Sequence, residues 1–265
     1  MSITRYVRFT TASGAAYGLV EGDTIHELAG DLFEHPRPTG RTVPLADAEL
    51  LLPLDPSRVQ KVIGVALNYY RPGVERAIEH PRWFAKLTSA LNPHGADVEL
   101  PPDAANMNFE GELVLIIGRK GRRIPVENAP GYIFGVTVGN DWSENTWFYE
   151  RRLYDEPSQL ISKSIDTWAC LYTTIVTGLD CSDLAIETRL NGELVATGRT
   201  NNMINSPARL VSYISQYATL MPGDVIYTGR VAPPLPGTRA EMRDGDVVEI
   251  AIEHIGVLRN QVVAG

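Results

Sequence analysis

The run Leu113-Val-Leu-Ile-Ile117 constrains the fold of this 265-residue chain more than any other segment. Its unbroken apolar character, which stops at Gly118, indicates a strand that is covered on both faces. Directly before it lie Glu110 and Glu112, separated by Gly111. Because side chains two residues apart on a strand point the same way, we expect both carboxylates on one side. Gly111 would let another part of the chain approach the opposite side closely.

Two carboxylates side by side at the start of a buried strand repel each other, and a divalent cation would relieve that repulsion. Oxygen donors of this kind suit Mg²⁺, Mn²⁺ or Ca²⁺ better than Zn²⁺. Asp141 could supply a third carboxylate, because it follows the strand predicted over Tyr132 to Val138. On the residues alone the alternatives stay open: Glu110 and Glu112 could form a solvated strand end, and Asp141 could cap a turn or a short helix.

The remaining patterns predict a β-rich α+β fold. Further strands are expected at these segments: 5–9, 15–20, 24–28, 61–67, 173–176, 185–190, 225–228 and 247–253. Asn191-Gly192 indicates a type I′ hairpin, and Ser206 followed by Pro207 indicates the start of a helix.

The chain is expected to divide into a small N-terminal β domain, residues 1–55, and a larger catalytic domain, residues 56–265. Residues 53–56, Pro-Leu-Asp-Pro, are typical of a linker between the two. Residues 35–44 are rich in Pro, Gly and Thr, which is typical of a loop.

Composition excludes several classes of protein. The net charge is −8 and the chain has no Lys/Arg cluster that would offset it, so a nucleic-acid partner is not expected. No run approaches the roughly 18 apolar residues of a membrane span, and no secretory signal is recognisable. Cys170 and Cys181 have no paired spacing, so a cytoplasmic location is expected. The chain contains neither a Gly-x-Ser-x-Gly elbow nor a His-x-x-x-His pair, so serine-hydrolase and zinc sites are unsupported.

Several motifs occur in an order that resembles the fumarylacetoacetate hydrolase superfamily over about residues 60–262. They are Lys61-Val-Ile-Gly followed by Asn68-Tyr69, Phe109-Glu-Gly-Glu-Leu-Val-Leu-Ile-Ile-Gly118, Tyr132-Ile-Phe-Gly135 with Asn140-Asp141, Lys163 with Asp166-Thr167, Asn191-Gly-Glu193, and Leu220-Met-Pro-Gly-Asp-Val-Ile-Tyr-Thr-Gly229.

The resemblance implies a mixed β-roll, usually dimeric, with Mg²⁺ (or Mn²⁺) on Glu110, Glu112 and Asp141. It implies a small keto or diketo acid as substrate and a metal-chelated enolate as the common chemistry. In such a site Lys163 would stabilise developing charge. The substrate pocket would be lined by residues that include Tyr69, Tyr70, Asn145, Thr228, Gly229 and Arg230.

The sequence departs from the family pattern at three places. Glu75 is present, but Pro72 stands where the family's hydrolases usually carry the His of a water-activating pair. Asn145 replaces an Arg that the family usually carries. Thr228-Gly229 is followed by Arg230 and Val231, where the family usually has Thr-Pro. The loss of an Arg at Asn145 predicts a less acidic substrate, unless Arg230 restores the charge from the other loop. Six aromatic residues in the segments that the resemblance places around the site predict a more aromatic substrate, although they could instead belong to the core or a dimer interface: Tyr69, Tyr70, Trp142, Trp147, Phe148 and Tyr149.

Three functions follow. The leading one is metal-dependent hydrolysis of a C–C bond in a 1,3-dicarbonyl or acylpyruvate-like substrate. The alternative is a non-hydrolytic reaction at the same metal (decarboxylation, isomerisation, tautomerisation or dehydration), which Pro72 favours. The third is a non-catalytic binding protein, against which the intact Lys163 and carboxylate triad argue. The general base is left open between Glu75, His80 and a group of the substrate.

Overall fold

The computed structural model describes residues 2–70, 80–150 and 159–265, and over these residues the chain is built mainly from strands. In chain order the strands are β1 (Thr4–Thr11), β2 (Gly14–Glu21), β3 (Thr24–Ala29), β4 (Arg37–Pro44), β5 (Val62–Ala66), β6 (Arg82–Lys86), β7 (Leu91–Pro93), β8 (Asp97–Leu100), β9 (Met107–Asn108), β10 (Gly111–Ile117), β11 (Ile133–Asp141), β12 (Ser143–Glu144), β13 (Ala169–Leu171), β14 (Thr174–Thr177), β15 (Ala185–Leu190), β16 (Glu193–Arg199), β17 (Val225–Tyr227), β18 (Val247–Ile252) and β19 (Gly256–Ala264). The α-helices are α1 (Asn145–Glu150), α2 (Gln159–Lys163) and α3 (Pro207–Tyr217), and short 3₁₀ helices lie at Leu45–Asp47, Thr88–Ala90, Ala129–Tyr132 and Thr200–Asn202.

Most of these strands belong to one twelve-stranded sheet. Its order is β4-β3-β2-β1-β14-β11-β10-β17-β5-β6, with β13 pairing to β11 and β7 pairing to β13. A five-stranded sheet has the order β16-β15-β18-β19-β8, and β9 pairs with β12. The β17–β5, β13–β7 and β19–β8 pairs are parallel, whereas β10 is antiparallel to both of its neighbours. The predicted β-rich α+β fold with mixed pairing is confirmed.

Strand β10 separates two hydrophobic clusters, which explains its unbroken apolar sequence. Leu113, Leu115 and Ile117 pack into the larger cluster, which also contains residues of the five-stranded sheet. Val114 and Ile116 point the other way into a second cluster. All five side chains are fully buried, so both faces of the strand are covered as predicted.

The predicted local signals are present where the sequence placed them. Asn191 and Gly192 both have positive φ, 52° and 85°, as a type I′ turn between β15 and β16 requires. Ser206 Oγ accepts a hydrogen bond from the backbone N–H of Arg209 at 3.3 Å, and Pro207 is the first residue of α3.

The N-terminal strands extend the large sheet, because β1 pairs with β14. The loop expectation for residues 35–44 was wrong: Arg37–Pro44 forms β4, paired with β3. This strand is at the edge of the sheet and is mostly exposed, so its prolines cost few ladder hydrogen bonds. The division of the chain at residue 55 stays a prediction.

Candidate metal centre and cavity

The three predicted carboxylates meet where β10 and β11 lie side by side. Gly111 pairs with Asn140 in this antiparallel ladder, which places Glu110 and Glu112 beside Asp141 at the end of β11. The backbone N–H of Asp141 donates to the carbonyl oxygen of Glu110 at 3.0 Å. One carboxylate oxygen from each of the three acidic residues lies within 4.8 Å of the other two. The structure therefore brings together the acidic triad that the sequence suggested.

Close packing around two glycines holds the triad in place. A Cβ on Gly111 would come within 2.7 Å of Thr188 Oγ1 and within 3.1 Å of Ile250 Cγ2, so the five-stranded sheet approaches there as predicted. Gly229 has a φ of +105°, and its N–H donates to Glu112 Oε2 at 2.6 Å. The loop after β17 is thus attached directly to one of the candidate ligands.

Glu112 lies in the least favourable electrostatic position of the triad. It is 1 % exposed, and burial together with the charges of Asp141 and Glu110 raises the pKa of its carboxyl well above the ordinary value. The hydrogen bond from Gly229 and the charge of Lys163 oppose this shift without cancelling it. A cation bound among these carboxylates would favour the charged form of Glu112 and so oppose the shift.

Lys163 supplies a positive charge to the same cluster. Its Nζ donates to Glu110 Oε2 at 2.5 Å and to Asp141 Oδ2 at 3.1 Å. Burial alone would lower the pKa of this lysine, but the carboxylates of Asp141 and Glu110 raise it above its ordinary value. Lys163 is therefore a protonated hydrogen-bond donor and not a candidate general base in this arrangement.

Lys86 is a second buried lysine at the centre, and sequence reasoning missed it. Its Nζ donates to Asp141 Oδ1 at 2.5 Å and to the carbonyl oxygen of Lys163, and its side chain is 0 % exposed. Burial lowers the pKa of Lys86, although Asp141 opposes the shift. A single lysine at the end of the short strand β6 has the sequence pattern of a surface residue. Only the pairing of β6 with β5 shows that it points inward.

The donor set is suited to a hard divalent cation. It consists of three carboxylates without a Cys or His among the described members of the cluster. Carboxylate oxygens are the ligands that Mg²⁺ and Mn²⁺ prefer, and the three carboxylates outnumber the two lysines that donate hydrogen bonds to them among the described residues. Glu110, Glu112 and Asp141 would hold such an ion.

A cavity of about 450 Å³ opens beside the triad. Its volume is in the range typical of small-molecule sites. The predicted residues in its wall are Tyr69, Glu110, Asp141, Asn145, Lys163 and Arg230. The wall also contains residues that the sequence did not single out, among them Arg82, Phe84 and Gln159. These come from β6 and α2, whose proximity depends on strand order and not on local pattern.

Several other predicted site residues do not line this cavity. Tyr70 is 40 % exposed and lies outside the wall. Thr228 is buried behind the wall, where its Oγ1 donates to the carbonyl oxygen of Leu113 at 2.8 Å, and Gly229 supports Glu112 as described. His80 stacks on Tyr213 away from the wall. Glu75 and Pro72 lie outside the described residues.

The aromatic segment after Asp141 divides between the core and the cavity. Trp142 and Trp147 are buried in the larger hydrophobic cluster and do not reach the cavity wall. Phe148 and Tyr149 line the cavity, as Tyr69 does. The aromatic character expected around the site is therefore present in part.

Two family models together match most of the chain. A family model described as "Fumarylacetoacetate (FAA) hydrolase C-terminal" matches residues 61–263, and one described as "Rv2993c-like, N-terminal" matches residues 4–53. The chain belongs to the fumarylacetoacetate hydrolase family. The resemblance drawn from the sequence motifs is confirmed, and the protein is an enzyme of this family.

Relatives with different names align with most of the length of this chain. Protein Rv2993c of Mycobacterium tuberculosis is 35 % identical, over 98 % of both chains. The human mitochondrial oxaloacetate tautomerase FAHD2A is 33 % identical, over 83 % of this chain and 71 % of its own. A solved structure of 5-carboxymethyl-2-hydroxymuconate delta-isomerase from Mycobacterium smegmatis is 36 % identical, with a TM-score of 0.87 over 98 % of this chain and 100 % of that one.

None of the helices in the described residues is long and apolar enough to cross a membrane.

Proposed function

We propose that this enzyme is a divalent-cation-dependent isomerase that interconverts the keto and enol forms of a 2-oxo acid. One observation carries the proposal. The described wall of the cavity combines Glu110, Asp141 and Lys163 but contains no histidine. In the sequence, Pro72 takes the place where the family's hydrolases usually have a water-activating His. A keto–enol interconversion moves a proton within one substrate and consumes no water, so it does not need that residue.

The chemistry divides between the cation and the protein. A divalent cation, when bound by the three carboxylates, would supply Lewis-acid stabilisation of negative charge on a substrate oxygen. Lys163 points its Nζ into the same space, where it can donate a hydrogen bond to an oxygen that gains charge during proton removal. Val65, Tyr69 and Phe84 give the cavity apolar walls that limit access of water.

The proton itself needs an acceptor close to the substrate carbon. Glu75 is proposed for this role on the resemblance alone. In the keto-to-enol direction a carboxylate there would take the proton from the substrate carbon and return it to the oxygen of the oxo group. The enzyme is regenerated without a water molecule.

The activities named for several relatives support an isomerase. The human relative is a tautomerase. Two solved structures that share 36 % and 34 % identity with this chain are described as isomerases, from Mycobacterium smegmatis and Mycobacterium marinum. Tautomerases and isomerases rearrange a substrate without cleaving it, in contrast to the hydrolytic C–C cleavage that was the leading sequence-based hypothesis.

Product analysis distinguishes the two reactions. The Mg²⁺-loaded enzyme is given enol oxaloacetate, whose ultraviolet absorbance falls on ketonisation, and separately acetylpyruvate in ¹⁸O-labelled water. We expect ketonisation at least tenfold faster than with Mg²⁺ alone, and no release of acetate from acetylpyruvate. Stoichiometric acetate and pyruvate, with ¹⁸O in the acetate, would show hydrolysis and contradict the proposal.

We also propose that the resident cation is Mg²⁺ (or Mn²⁺) and that the enzyme is a homodimer. The dimer rests on the family resemblance alone. A sedimentation experiment that found only the 29.1 kDa monomer at micromolar concentration would count against it.

A further inference from the structure

Arg230 stands at a point of the cavity wall where no described residue forms a close ion pair with it. Its side chain is 21 % exposed, and its Nε is buried without a hydrogen-bond partner among the described residues. The nearest carboxylate oxygen recorded for it is Glu110 Oε1, 4.0 Å from Nη1, which is at the limit of an ion pair. Lys163 already binds the other oxygen of Glu110 at 2.5 Å. A guanidinium in this condition retains donors for a ligand.

The backbone that carries Arg230 is fixed to the metal centre. Gly229, the preceding residue, donates its N–H to Glu112 Oε2 at 2.6 Å. The carbonyl oxygen of Thr228 accepts a hydrogen bond from Asn68 Nδ2 at 2.8 Å. Since the two residues before Arg230 are held in this way, its side chain starts from a fixed point of the backbone beside the carboxylates.

The charges around the cavity favour an anionic ligand. Of the described residues in the wall, Arg82, Lys163 and Arg230 are cationic, while Glu110 and Asp141 are anionic. Glu112 and Lys86 lie behind the wall and offset each other. A bound divalent cation would leave these described groups with an excess of positive charge. A substrate with a single carboxylate would compensate only part of that excess.

We propose that Arg230 is a specificity-determining residue that binds the distal carboxylate of a dicarboxylic 2-oxo acid. The inference deepens the proposed function and rests on it. The carboxylate and oxo group next to each other would face the metal centre, and the second carboxylate would accept hydrogen bonds from the guanidinium. Arginine forms two parallel bonds to a carboxylate, which gives both affinity and orientation. Arg230 thereby replaces the Arg that the family usually carries at Asn145, from a different loop.

Binding of two unreactive acids tests the assignment without turnover. Malate and lactate share a 2-hydroxy carboxylate, and only malate has a distal carboxylate. Calorimetry is performed on the Mg²⁺-loaded wild type, Arg230→Gln and Arg82→Gln. The last variant is the matched control, because it removes one positive charge from the same wall. Since neither acid is turned over, failure of the isomerase assay and failure of this binding test are separate results.

We expect the wild type to bind malate at least tenfold more tightly than lactate, which corresponds to about 1.4 kcal/mol. Arg230→Gln should abolish that preference with lactate affinity unchanged, and Arg82→Gln should alter it by less than threefold. The assignment would be overturned if Arg230→Gln lost affinity for malate and lactate equally, or if it kept the preference for malate. Loss of that preference in Arg82→Gln would also overturn it. If Arg230→Gln does not fold, Arg230→Lys replaces it. This variant keeps the charge but not the two-point contact, so the preference should fall at least threefold, and an unchanged preference would contradict the proposal.

Discussion

At the scale of single residues, the site is a cluster of charges that do not balance without a ligand. Glu112 shows this most clearly, because its buried carboxylate has a raised pKa. An acid whose folded pKa lies above its unfolded value, about 4.3 for Glu, loses stability as the pH rises between the two values. In metal-free protein above the unfolded pKa, Glu112 is therefore a destabilising group.

Glu112→Gln should raise the free energy of unfolding of the metal-free protein by about 1 kcal/mol at neutral pH, because the amide cannot ionise in the unfolded chain and its oxygen can still accept the Gly229 hydrogen bond. Urea denaturation in the presence of a chelator measures it. Glu127→Gln, at an exposed position, is the control and should stay within about 0.5 kcal/mol of wild type. If metal-free Glu112→Gln were less stable than the wild type, Glu112 would not be a destabilising group in the metal-free protein.

Lys163 has a different role, since it is a donor and not a ligand. Lys163→Met should lower kcat about 100-fold or more, which is the typical loss when a charge-stabilising donor is removed. Its Mg²⁺ affinity should stay unchanged or increase, because a competing cation has been removed from Glu110 and Asp141. Calorimetry and steady-state kinetics separate the two effects, with Lys120→Met at the exposed turn as control. Joint loss of metal and activity would assign Lys163 a structural role instead.

At the scale of elements, the contact between the two sheets positions the carboxylates. Gly111 lies between the two candidate glutamates, and an added Cβ there would meet Thr188 and Ile250. Gly111→Ala should therefore cost about 2 kcal/mol in unfolding free energy through overpacking. Gly131→Ala is the matched control, because no atom lies within 4 Å of its Cβ position and its φ is not positive. Equal stability of the two variants would mean that the sheets can separate at Gly111 without cost.

Asp246 joins the turn before β18 to the β15–β16 hairpin. It accepts hydrogen bonds from both terminal nitrogens of Arg239, at 2.6 and 2.7 Å, and from Asn191 Nδ2 at 2.9 Å. Burial would raise the pKa of Asp246, but these bonds and one from the Arg243 N–H lower it below the ordinary value. A lowered folded pKa gives stability that is present above the unfolded pKa, about 3.9, and is lost as the pH falls through the folded pKa.

Asp246→Asn should therefore cost about 2 kcal/mol at pH 7, since a charge-assisted two-point contact with Arg239 is lost. The difference from wild type should shrink as the pH falls below about 4. Urea denaturation across this range measures it. The control is Asp183→Asn, which removes the acid of an exposed pair with Arg199 and should cost less than about 1 kcal/mol. A cost for Asp246→Asn that is constant with pH would rule out the charge as its source.

At the scale of the whole molecule, the sequence predicted where strands lie along the chain better than it predicted which strands lie side by side. Leu113 to Ile117 showed its double burial in its own composition, and the spacing of Glu110 and Glu112 showed their common side. The closeness of Asp141 followed from the resemblance, because a β10–β11 register is not encoded within either strand. Lys86 and Arg82 were missed for that reason: their inward or cavity-facing positions depend on β6 lying next to β5. Long-range strand order is what local pattern cannot supply.

The central claim is that Glu110, Glu112 and Asp141 hold one divalent cation on which the activity depends. A calorimetric titration of Mg²⁺ into the metal-free wild type and Glu110→Ala tests it most directly. Glu110 is suited to this substitution because its side chain lines the cavity, so truncation enlarges that cavity and leaves no separate void. We expect one Mg²⁺ site per chain in the wild type, and loss of both Mg²⁺ binding and activity in Glu110→Ala. Unchanged Mg²⁺ affinity in that variant would contradict the assignment of the metal centre.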